Sequence, residues 1–85
     1  MQLAQADDFK FLKIEGVTTE TAVDAKRWSK KCKSQSEWIR RLFIMKYGSK
    51  WYVYAHAGHV KIYDDCNDKI VKLYYIGITV EIFGC

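Results

Sequence analysis

The chain has 85 residues, of which 49% are apolar and 15% aromatic, with a formal net charge of +4. At roughly 100–200 residues per domain this is one domain (1–85) with one modest core, and it is too apolar for a disordered tail. No apolar run approaches the ~20 residues of a membrane helix, and MQLAQADDFK lacks the basic and apolar regions of a secretory signal, so neither a span nor export is expected.

Phe9-Lys10-Phe11-Leu12-Lys13-Ile14 alternates loosely and reads as a short strand broken by Glu15-Gly16. Thr18 and Thr19 are good N-cap residues, and Glu20 and Asp24 sit at the acidic end of the segment that follows. Ala22, Ala25, Trp28, Ser29 and Cys32 recur at spacings of three and four, and Lys30, Lys31 and Lys33 suit a helix C-terminus. An amphipathic helix over 19–33 is expected.

Residues 34–47 carry two patterns. Ser34-Gln-Ser-Glu37 has the form of a capping box, with Trp38, Ile39, Leu42 and Phe43 on a helical stripe. Leu42-Phe43-Ile44-Met45-Lys46-Tyr47 is also a good strand, followed by the hairpin signal Gly48-Ser49 and by Trp51-Tyr52-Val53-Tyr54. The strand over 40–47 is the preferred reading. Further strands are expected at 51–56, 59–63, 69–76 and 78–83, separated by Ala57-Gly58, by Asp64-Asp65-Cys66-Asn67-Asp68 and by Gly77. The expected fold is α+β, one helix packed on a four- to five-stranded antiparallel meander.

The charge is unevenly placed. Residues 26–50 hold nine basic residues (Lys26, Arg27, Lys30, Lys31, Lys33, Arg40, Arg41, Lys46 and Lys50) and one acid, Glu37. The rest of the chain holds five bases and nine acids. Such a segment attracts polyanions, or it is a solvated helix face that keeps the protein in solution. Strand alternation puts Trp51, Val53, Ala55, Val60, Ile62, Val71, Leu73 and Tyr75 on a core face, and Tyr52, Tyr54, His56, His59, Lys61, Tyr63, Lys72 and Tyr74 on the opposite one. The second set joins flat rings to polar tips and positive charge, which suits base stacking and suits protein interfaces equally.

The first functional expectation is therefore a non-enzymatic protein binding RNA or another single-stranded nucleic acid. Lys26, Arg27, Lys30, Lys31, Lys33, Arg40, Arg41, Lys46 and Lys61 would meet phosphates, and Tyr52, Tyr54, Tyr63 and Tyr74 would meet bases. The alternative is a protein–protein inhibitor that docks its basic segment, Lys30 and Lys31 with Trp38 as anchor, on an acidic partner. A further alternative is a small endoribonuclease using His56 and His59. No cofactor and no metal site is expected: the spacing of His56, His59, Asp64, Asp65 and Cys66 matches no zinc pattern, and the acidic turn lacks the glycine and final glutamate of a calcium loop. The three cysteines, Cys32, Cys66 and Cys85, are an odd number, which favours free thiols and a cytoplasmic location, with one disulfide as the alternative.

The absence of proline, with Lys/Tyr/Ile-rich strands such as Lys69-Ile-Val-Lys-Leu-Tyr-Tyr-Ile76, resembles the small early proteins with which T-even-type bacteriophages disarm host defences. The resemblance lies in the composition of the whole chain and carries over no functional residue. It implies a stoichiometric inhibitor, such as a toxin antagonist or anti-CRISPR protein, acting on a host nuclease or competing for its nucleic acid in the bacterial cytoplasm.

Overall fold

The computed structural model describes residues 8–48, 50–58 and 60–85. In chain order these form β1 (Lys10–Glu15), α1 (Thr19–Lys31), α2 (Ser36–Tyr47), β2 (Trp51–Ala57), β3 (Lys69–Tyr75) and β4 (Ile78–Gly84). The four strands make one antiparallel sheet in the order β1-β3-β4-β2. The α+β class and the antiparallel sheet are as the sequence predicts. The helix number is two rather than one, and β2 pairs with β4 rather than with β3, so the sheet is not a simple meander.

Helix α1 begins where expected. The Thr18 hydroxyl accepts the Thr21 N–H at 3.2 Å, Glu20 lies in the first turn and Lys30 and Lys31 in the last. The chain then reverses at Lys33 and Ser34, both with positive φ (51° and 61°), so the anticipated capping box does not form and Gln35 is the N-cap of α2.

The expected strand over 40–47 is a helix, and packing explains why. As a strand, Arg40, Leu42, Ile44 and Lys46 would share one face and Arg41, Phe43, Met45 and Tyr47 the other, so neither face would be free of cations. As a helix, Ile39 and Phe43 fall one turn apart and are wholly buried, while Arg41 and Met45 point to solvent.

Both helices pack on the sheet face that carries Trp51, Val53, Val71, Leu73, Val80 and Ile82, with Phe9, Ala25, Ile39 and Phe43 completing the core. The Phe43 ring sits 4.9 Å from Trp28 and 4.7 Å from Trp51. The Trp51 indole N–H donates to Gly48 O at 2.8 Å. Its ring lies over Gly84, where a Cβ would come within 2.7 Å of it, so the close approach of β2 and β4 at this end depends on that glycine.

The strand expected at 59–63 is also corrected: Val60–Tyr63 pairs with no strand, and His59 lies outside the described residues. Strand β2 ends opposite Ile78 and β3 begins opposite Gly84, so residues 60–68 travel back the length of the sheet. They do so on the face away from the helices. Asp64 accepts the Tyr54 hydroxyl at 2.6 Å and the Cys66 N–H at 2.9 Å. Cys66 and Cys85 form a disulfide with their Cα atoms 4.6 Å apart, and Cys32 alone is a free thiol. The expectation of free thiols fails here because strand pairing brings the end of β4 beside the start of β3, a proximity that cysteine spacing does not reveal.

Candidate functional site

The sheet separates the two sets of residues on which the polyanion reading rests. Lys26, Arg27, Lys30, Lys31, Lys33, Arg40, Arg41 and Lys46 belong to the helical layer and its turn, whereas Tyr52, Tyr54 and Tyr74 face the other way. Lys61 and the prominently exposed Tyr63 lie in the returning segment. Among the described residues, Arg40 bridges the layers. Its guanidinium is 5.6 Å from the centre of the Tyr52 ring, and its Nε donates to Trp51 O at 2.7 Å, around the free edge of β2.

Most of the other cations have partners. Lys26 is 3.6 Å from Asp8 and lies over Phe11, Arg27 pairs with Asp24, and Arg40 and Arg41 reach Glu37 at 3.6 and 3.5 Å. Lys46 holds Glu20 at 2.8 Å and Asp24 at 2.6 Å. Lys30, Lys31 and Lys33 make no ion pair among the described residues, and all three cluster at the end of α1. Trp38 is exposed as expected of an anchor, with Arg41 over its ring at 5.3 Å and Met45 one turn further on.

Beneath the helices' level, Asp24 is the charged hub between α1 and α2. Burial alone would raise its carboxyl, but hydrogen bonds from Lys46 and Tyr47 and the charges of Lys46 and Arg27 hold it below the usual carboxylate range. The Tyr47 hydroxyl donates to it at 2.5 Å, and burial together with that bond pushes the phenol up.

The open face hides a group the sequence reading missed. Glu81 is 2% exposed, with Oε2 at 2.6 Å from His56 Nε2 and Oε1 at 3.2 Å from Lys72 Nζ. The signal was present: Glu81 shares a face with Thr79 and Phe83 and lies directly across from Lys72 and Tyr54, so opposite charges face each other over the ladder. His56 thus spends Nε2 on a carboxylate, and its buried Nδ1 has no partner. Beside this cluster, Tyr52, Tyr54, Tyr63, Asp64 and the disulfide line an open concavity of about 490 Å³.

The two outer edges of the sheet differ in kind. β1 carries Lys10 and Lys13, is exposed along its whole length, and is broken by an irregularity between Phe11 and Lys13. β2, WYVYAHA, runs seven residues in unbroken register with β4 and contains no lysine. Lys50 O accepts the Cys85 N–H at 3.2 Å, so by alternation Trp51, Val53, Ala55 and Ala57 turn their backbone groups away from β4. Trp51 O is the one taken by Arg40.

No helix is long and apolar enough to cross a membrane among the described residues. No group of three or more His, Cys, Asp or Glu side chains among them is placed to hold a metal ion. No family model matches the chain, and no curated protein matches it. Solved structures do match. The chain is similar to the dynein light chain-like domain of the calcium binding protein FhCaBP2 from Fasciola hepatica, in its native crystal form at TM-score 0.73 and 9% identity over 100% of this chain and 99% of that one. The mercury derivative of the same domain matches at TM-score 0.70 and 10% identity over 95% of each chain. At this identity the likeness is one of fold: two helices on one face of the sheet, in the manner of a dynein light chain-like domain.

Proposed function

We propose that this domain is a non-enzymatic protein-docking module that receives an extended polypeptide segment along the outer edge of β2. The observation that carries the reading is the contrast between the edges. β1 has the lysines and irregularity that discourage strand addition, whereas β2 offers outward backbone groups at Val53, Ala55 and Ala57 with no such guard. Strand addition takes its affinity from main-chain hydrogen bonds and its selectivity from neighbouring side chains. Arg40 and Tyr52 stand at that edge to supply the latter. The calcium in the name of FhCaBP2 is not carried over to this chain.

Ala55→Pro tests the reading. It removes an outward N–H while leaving the β2–β4 ladder its bonds. Extended peptides selected on the wild-type domain from a random display library are expected to lose binding to the Ala55→Pro protein. Self-association abolished by the same change would identify the incoming segment as a second copy. Peptide binding that is indifferent to Ala55→Pro overturns the edge as the docking site.

A second reading retains the polyanion ligand, favoured by Lys30, Lys31 and Lys33, which cluster at one helix end without ion pairs among the described residues. It requires salt-sensitive binding of single-stranded RNA that charge reversal of these three lysines abolishes and Ala55→Pro does not.

A further inference from the structure

Where α1 ends, three unusual backbone conformations converge. Lys33 and Ser34 have positive φ, and so does Ile76 (43°) in the turn between β3 and β4. Ile76 and Gly77 (78°) both being positive fits the tight hairpin turn that favours Asn-Gly or Asp-Gly. A β-branched residue there is strained, and Ile76 is 75% exposed, so packing within the domain does not explain the choice.

Ile76 forms one wall of a concavity of about 270 Å³ between that turn and the end of α1. Phe9, Tyr75 and Ile78 give it an apolar lining, and Lys30 and Lys33 stand at it without ion-pair partners among the described residues. Ser29 also lines it. This residue is 0% exposed, and its Oγ has no hydrogen-bond partner among the described residues. A buried hydroxyl left unpaired is uncommon, because its desolvation goes uncompensated. The end of α1 is also less negative than a bare helix terminus: Trp28, Ser29 and Lys30 carbonyls accept the N–H groups of Cys32, Ser34 and Lys33.

We propose that this concavity binds a small anionic amphiphile, its carboxylate or phosphate head held by Lys30 and Lys33 with the Ser29 hydroxyl, and its short apolar body against Phe9, Tyr75, Ile76 and Ile78. Charge-assisted hydrogen bonds orient the head, and burial of the tail supplies the remaining affinity. Ile78 lies across from Ala57, so the site adjoins one end of the β2 edge, but no β2 residue lines it and it does not depend on docking there.

Sodium octanoate, dispersed below micelle formation, is the probe, read by amide shifts of the isotopically labelled protein. Saturable shifts are expected at Ser29, Lys30, Tyr75, Ile76 and Ile78. Affinity should fall about tenfold in the Lys30→Glu/Lys33→Glu protein, and a comparable loss is expected for 1-octanol, which lacks the charge. Ser29→Ala, which deletes a hydroxyl without a partner among the described residues, should leave the thermal midpoint unchanged or higher while weakening octanoate by about fivefold. Shifts located elsewhere, or equal binding of octanol, overturn the proposal. Inorganic phosphate binding as tightly as octanoate overturns the apolar body. Binding to phosphatidylserine vesicles but not to dispersed octanoate overturns the cavity as the site.

Discussion

Lys46 on α2 donates to the buried carboxylate of Asp24 on α1 at 2.6 Å, across twenty-two residues of chain. The same carboxylate accepts the Tyr47 hydroxyl and pairs with Arg27, so one acid ties three donors from two helices. Asp24→Ala would leave those donors without their acceptor, at a cost of about 3 kcal/mol. Lys46→Met should cost less, because Tyr47 and Arg27 still serve the carboxylate and Lys46 is partly in water. Urea unfolding of both variants measures this, and equal midpoints for Asp24→Ala and the wild type would refute it.

The same cluster, together with the Tyr54–Asp64 bond on the other face of the sheet, sets the pH range of stability. Asp24 titrates below its ordinary value of 3.8, so its contribution is complete above that value and is lost as pH falls through the lower folded one. At the other end, hydrogen bonding to Asp24 and Glu20 raises Lys46 above its ordinary 10.5. Burial raises Tyr47, and the bond to Asp64 raises Tyr54, each above 10.0. For these three the contribution is complete below the ordinary values and disappears as pH rises through the folded ones. A plateau of thermal stability between roughly pH 5 and 9 is expected, falling on both sides. Asp24→Asn should flatten the acid limb specifically, and an unchanged acid limb would assign it to other carboxylates.

Local signals in the sequence located α1 and all four strands, β1 to β4, because caps, dipole-matched charge and alternation act over a few residues. Where two periods competed, tertiary packing decided. Phe43 could satisfy a strand or a helix, and only the position of the core between Trp28 and Trp51 favours the helix. Val60–Tyr63 keeps strand-like alternation, yet β3 and β4 are already paired on both sides within this sheet. The candidate site was legible in its residue types but not in its layout. Which face a cation occupies depends on the layer it belongs to, so Lys30 and Tyr54 read as neighbours in composition while the sheet lies between them.

The disulfide clasps the end of the returning segment. Cys66 precedes β3, and Cys85 follows β4, nineteen residues later, so the bond closes the open end of that hairpin and fixes the chain that crosses the tyrosine face. A loop of this length restricts the unfolded chain by about 3 kcal/mol in the entropic account. Reduction by a dithiol, or the Cys66→Ser/Cys85→Ser protein, should therefore lower the thermal midpoint by roughly 10–20 °C. The loss should be local before it is global. Amides of residues 62–67 should exchange faster on reduction, and Tyr54 should lose its bond to Asp64, while α1 and α2 keep their protection through Asp24. Thiol titration of the native protein should find only Cys32 free. Three reactive thiols, or a midpoint indifferent to reduction, would remove the clasp and leave the segment held by Asp64 alone.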